Sequence, residues 1–124
     1  MVYCHEKNYL ICLLLFIQFS VQGQEIRCGW LDNPTPGNLW LIDRDAEWNI
    51  SQQGGRKSEG IEKIIDNSID SSEIIYTNGN YGIRCACLSV DVDNKSKTII
   101  NIYSFDLLKI KQCRDDKKIQ HLIN

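Results

Sequence analysis

The strongest pattern along the chain is the alternation in "YGIRCACLSVDVD", residues 81–93, where positions two apart form two apolar sets. Tyr81, Ile83, Cys85 and Cys87 share one face, while Ala86, Leu88, Val90 and Val92 share the other after a charged Arg84. A strand that is apolar on both faces is covered on both, so this segment is expected to be central. "TIINIYSF", residues 98–105, is a second β-branched run, with Ile100 and Ile102 on one face and Ile99, Tyr103 and Phe105 on the other. Residues 93–96 supply the turn between the two. In the resulting hairpin Val92 faces Lys97, and Cys87 and Cys85 face Ile102 and Ser104.

Upstream, "RCGWLDNPTPGNLWLIDRDAEWNISQQGG" is aromatic and broken by turn residues. It predicts a short strand at 28–31 and a loop at 33–38 fixed by Pro34 and Pro36. A second hairpin follows, with arms 39–43 and 47–50 around Arg44, Asp45 and Ala46, ended by Gly54 and Gly55. Within 57–67, Ile61, Ile64 and Ile65 at helical spacing predict a short helix that Gly60 weakens. "TNGNYG" reads as turn chemistry feeding the central strand. The expected fold is mainly β, with a small α+β arrangement as its variant. It is a compact antiparallel sheet, barrel- or sandwich-like, with one short helix and two disulfides as staples.

Residues 1–23 have a different layout. A polar start carrying Lys7 precedes an apolar run at 10–19, and compact Val21 and Gly23 stand where a signal peptidase reads. The run is well short of the roughly 20 residues a membrane-spanning helix needs. A cleaved signal peptide is therefore expected, with no membrane anchor after cleavage. No lipid anchor is expected either, because bulky Ile11 precedes Cys12. The rest, 24–124, reads as a single domain with a polar tail from about 114, periplasmic or secreted.

Export sets the chemistry of the cysteines. Cys28, Cys85, Cys87 and Cys113 remain after cleavage, an even count that reads as two disulfides in an oxidising compartment. Zinc normally takes closely paired cysteines or histidines, and past residue 23 the one histidine is His121, so no metal and no cofactor is expected. On one strand face Cys85 and Cys87 lie about 7 Å apart, too far to bridge each other. Two patterns survive, which loop-closure entropy cannot separate. The hairpin carries the chain out past Cys85, which favours Cys85 with Cys113 and Cys28 with Cys87.

A net charge of −2 without a Lys/Arg cluster argues against nucleic acid or an anionic membrane as partner. Catalytic groups are few: past residue 23 the chain has no Gly-x-Ser-x-Gly elbow and no free thiol once both bridges form. Asp43, Asp45 and Glu47 alternate, and they carry the alternative reading of a small carboxylate-dependent hydrolase acting on an envelope glycan. Their simpler role is as solvated charges flanking a turn, and Asp91, Asp93 and Asn94 read the same way. A binding surface is drawn from Trp30, Asp32, Asn33, Trp40, Asn78, Asn80 and Tyr81, since aromatic faces beside amides and a carboxylate hold sugars and peptides. Trp30, beside Gly29 and the proline loop, is expected to be the most exposed tryptophan. Trp40 and Trp48 have the apolar neighbours of core residues.

Taken together, "RCGWLDNPTPGNLWLIDRDAEWNISQQGG", "TNGNYGIRCACLSVDVD", the isoleucine-rich strand and "CRDD" resemble the domain of unknown function 4087 family across residues 27–116. The chain departs from that family's pattern at Ala46, where glycine is usual, and at Leu39, where a second tryptophan is usual. The resemblance implies a small exported bacterial protein with a framework carried by the four cysteines, and it implies no activity. The function expected from the residues is a non-catalytic binding or inhibitor module of the bacterial envelope, its partner a protein or glycan.

Overall fold

Six strands form one sheet in the computed structural model, which describes residues 24–67 and 71–119. They are β1 (Glu25–Thr35), β2 (Asn38–Ile42), β3 (Glu47–Ser51), β4 (Ile75–Asn78), β5 (Tyr81–Asp93) and β6 (Thr98–Leu108). The expected signal segment lies outside the described residues, as does His121. Long β1 pairs with β2 and also with β5, from Glu25↔Val90 to Asn33↔Gly82. β5 pairs with β6, and β6 meets β3 in parallel at Asn49↔Thr98. The ring β1-β2-β3-β6-β5-β1 is therefore a closed five-stranded barrel. With helix α1 (Glu62–Asn67) between β3 and β5, its connectivity is the Greek key of an OB-type barrel. Ile83 pairs with Asp32 of β1 and with Ile75 of β4, so β4 lies on the β6 side of β5, past the end of β6.

The mainly β, barrel-like expectation holds. The parallel β3–β6 seam departs from an all-antiparallel sheet, and with a single ladder pair it needs other support. Residues 56–60 supply it. The buried Ser58 donates its N–H to the Ile50 carbonyl at 2.8 Å, and its hydroxyl lies between the carbonyls of Ile50 and Ile99. Arg56 Nη2 donates to the Ile99 carbonyl at 2.8 Å, and the Glu59 carbonyl accepts from the Ile102 N–H at 2.8 Å. Gly60 precedes the helix rather than weakening it. It sits at φ +85°, where a Cβ would stand 2.1 Å from the Ile102 carbonyl oxygen. Gly60→Ala is expected to cost about 2 kcal/mol or more through backbone strain alone. Chemical denaturation with both disulfides intact measures it, and a loss of a few tenths would mean the seam yields freely.

β5 has an apolar cluster on each face, as its alternation predicts. Toward the barrel axis Ala86, Leu88 and Val90 pack with Leu31, Leu41, Trp48, Ile50, Ile99 and Ile102. Outside the barrel Ile83 and Cys85 pack with Trp30, Ile42, Cys113 and Ile119. Trp30 is thus a core residue, 1% exposed, and the expectation that it would be the most exposed tryptophan is corrected. What covers it is α2 (Ile110–Asp115), a second helix that the polar sequence after 108 does not announce. The Glu73 carboxylate anchors α2 by accepting the Ile110 N–H at 2.6 Å. Cys113, the buried residue of α2, is bridged to Cys85, and Cys28 is bridged to Cys87, its direct partner across β1 and β5 with Cα atoms 4.0 Å apart. This is the favoured pairing.

The register that suggested it differs. Cys87 faces Asp106 and Cys85 faces Leu108, not Ile102 and Ser104, because the turn residues are 94–97 and β6 carries two extra residues. Ile100 and Tyr103 are those extra residues. They bulge out of the ladder and are exposed, which leaves Ile99 and Ile102, three apart, both facing inward. The proline loop also shrinks. β1 continues through Thr35, and Pro36-Gly37 alone make the turn into β2, with Gly37 at φ +78° as a proline–glycine type II turn requires.

Candidate functional site

Two arginines point from neighbouring strands toward the barrel interior at opposite ends, and they differ in what meets them. Arg27, opposite Leu88, stacks over the Trp48 ring at 4.1 Å. Its Nη1 reaches Asp43 Oδ2 at 2.8 Å and Asp45 Oδ2 at 3.0 Å, and its Nη2 reaches Glu25 Oε2 at 2.7 Å. The other oxygen of Asp43 accepts from the N–H groups of Asp45 and Ala46 and from Trp48 Nε1 at 2.8, 2.9 and 3.0 Å. Burial pushes the Asp43 carboxyl up, but Arg27 and these three donors together outweigh it and hold it below the usual carboxylate range. The carboxylate that anchored the hydrolase reading is therefore committed to closing one barrel end, and it is buried rather than solvated.

At the other end Arg84, opposite Leu31, enters a cleft of about 160 Å³. Leu31 and Leu39 from the sheet and Ile61 and Ile64 from the α1 segment form its walls. Ile65, 62% exposed, forms its lip. Among the described residues Arg84 is the one charged residue lining the cleft, and no hydrogen bond or ion pair reaches its guanidinium; its Nε, like that of Arg27, is buried without a partner. Burial lowers its pKa, with Tyr76 opposing, yet a guanidinium stays charged at any physiological pH. The polar neighbours are Asn33 and Ser51. The Asn33 amide nitrogen donates to the Thr35 carbonyl at 2.9 Å and the Asn38 carbonyl at 2.6 Å, and the Ser51 hydroxyl donates to the Gly37 carbonyl at 2.7 Å. These bonds hold the Pro36-Gly37 turn against the cleft.

The residues expected to form one surface are distributed over four places. Asn33 alone lines the cleft. Asp32 and Trp40 pair across β1 and β2 outside the barrel, Trp40 Nε1 donating to Asp32 Oδ2 at 3.2 Å. Burial raises the Asp32 carboxyl, the Trp40 bond draws it back, and nearby Glu47 adds to the rise. Asn78, Asn80 and Tyr81 belong to the β4–β5 turn, where Asn78 donates to the Pro34 carbonyl at 3.1 Å. Trp30 is in the core. The residue that sequence reasoning passed over is Arg84, although it was visible as the one charge on the inward face of β5. Among the described residues, no three His, Cys, Asp or Glu side chains are grouped to hold a metal.

The profile of a family described as protein of unknown function (DUF4087) matches residues 22–120. The chain belongs to this family. The DUF4087 match spans all six strands, both disulfides and the Arg84 cleft, so fold and candidate site lie within the family's domain. No curated protein and no solved structure matches the chain. What this DUF4087 domain does must be argued from the cleft itself.

Proposed function

We propose that the domain is a non-catalytic binding module of the cell envelope and that the cleft at the α1 end of the barrel is its ligand site. The observation that carries this is the Arg84 guanidinium, which no described residue pairs, among Leu31, Leu39, Ile61 and Ile64. A buried donor left unsatisfied costs about 1 to 3 kcal/mol; the Nε of Arg27 carries the same cost, but its terminal nitrogens meet three carboxylates, whereas no described carboxylate meets those of Arg84. A charge held unpaired in an apolar cleft is what recognition of an anion requires. The two disulfides are consistent with an oxidising extracellular or periplasmic location.

The ligand class is an apolar group with an anionic end. A simple probe is 4-methylpentanoate, titrated into the oxidised protein and followed by NMR. The expected result is a saturable shift of the Arg84 Nε–H signal together with the Ile61 and Ile64 methyl signals at millimolar concentration. Shifts confined to the Asp32–Trp40 face or the β4–β5 turn, or no saturable shift, would overturn the reading.

A further inference from the structure

Arg84 does not act alone in the cleft, and its neighbour narrows the ligand. Leu31 and Asn33 occupy successive inward positions of β1, opposite Arg84 and Gly82 of β5. Asn33 is thus the diagonal cross-strand neighbour of Arg84, on the outer side toward the β4–β5 turn. Both amide hydrogens of Asn33 are directed to the carbonyls of Thr35 and Asn38, so its remaining capacity is the acceptor Oδ1. Among the described residues the cleft therefore offers one cation, one adjacent acceptor and a wall of aliphatic side chains.

From this pattern we infer that the cleft receives the C-terminal end of a partner polypeptide whose last residue is aliphatic. The inference rests on the cleft being the binding site. A chain terminus carries a carboxylate, an N–H on the same Cα and a side chain, three groups that match Arg84, Asn33 and the apolar wall in turn. The planar fork of a guanidinium meets a carboxylate through two parallel hydrogen bonds. A single guanidinium balances a monoanion, whereas a phosphate dianion would keep an uncompensated charge here. The cavity, about 160 Å³, accommodates a group of roughly benzene size, which suits a leucine or isoleucine side chain. The exposed Ile65 at the lip gives the preceding residues of the partner an apolar surface to lie on.

Calorimetric titration of the oxidised protein with four probes tests this: N-acetyl-L-leucine, N-acetyl-L-leucinamide, 4-methylpentanoate and the peptide acetyl-Ala-Ala-Leu. N-acetyl-L-leucine should bind at least tenfold more tightly than 4-methylpentanoate, which lacks the N–H. The peptide should bind at least as tightly as N-acetyl-L-leucine, and the leucinamide should lose binding at least tenfold. Equal affinity for the two acids would overturn the chain-end inference while leaving an anion-binding apolar cleft in place. Binding of N-acetyl-L-leucine with exclusion of the peptide would overturn the polypeptide and assign a free acylated amino acid instead. Equal binding of acid and amide would remove Arg84 from recognition, and binding of none would overturn both this inference and the reading beneath it.

Discussion

Replacing Trp30 by alanine is expected to lower the unfolding free energy by about 3 to 5 kcal/mol, the range for deleting a buried aromatic. The ring is 1% exposed, it pairs across the sheet with Cys85 and Ile42, and it shares its cluster with Cys113 and Ile119. Removing it opens a cavity beneath α2 that the Cys85–Cys113 bridge keeps from collapsing. Urea denaturation of the oxidised variant measures the loss. A change within about 0.5 kcal/mol, the range of ordinary surface substitutions, would place Trp30 at the surface after all.

Asp43→Ala is expected to be equally severe, at about 3 to 5 kcal/mol, because it removes one partner of a buried ion pair and leaves the others buried. The N–H groups of Asp45 and Ala46 and the Trp48 Nε1–H all lose their acceptor, and Arg27 loses its most buried carboxylate. The pH dependence has a definite sign. The folded pKa of Asp43 lies below its unfolded value, so its contribution is complete above the unfolded value of about 3.9 and is lost as pH falls through the folded pKa. Below about pH 4 the native protein should therefore lose stability more steeply than Asp43→Asn. Parallel acid-dependence curves for the two proteins would contradict the role given to Asp43.

The parts of this fold that were legible in the sequence are those set by period-two alternation and by what a strand forbids. β5 announced its two covered faces, and the spacing of Cys85 and Cys87 on one face excluded their bridging. The correct cysteine pairing followed even from a displaced register, because the chain leaves β6 past the Cys85 end in either case. The bulges at Ile100 and Tyr103 were hidden, since an extra residue in a strand leaves no signature in an alternating apolar run. Trp30 was misread for a related reason: its cover is α2, a helix with one buried residue, Cys113, in an otherwise polar segment. Of the candidate site only Asn33 was anticipated. Arg84 stood out as a charge on an inward face, but whether a carboxylate meets it depends on how the barrel ends are closed, which is a tertiary fact.

Arg84→Leu, with stability and affinity measured together, tests the proposal that Arg84, which no described residue pairs, is held open for a ligand at a cost to the fold. Leucine continues the apolar wall and removes an unsatisfied buried donor, so unfolding free energy should rise by about 1 kcal/mol or more. Binding of 4-methylpentanoate should be lost in the same protein. A fall in stability with affinity unchanged would contradict the account and make Arg84 a structural residue of the barrel end.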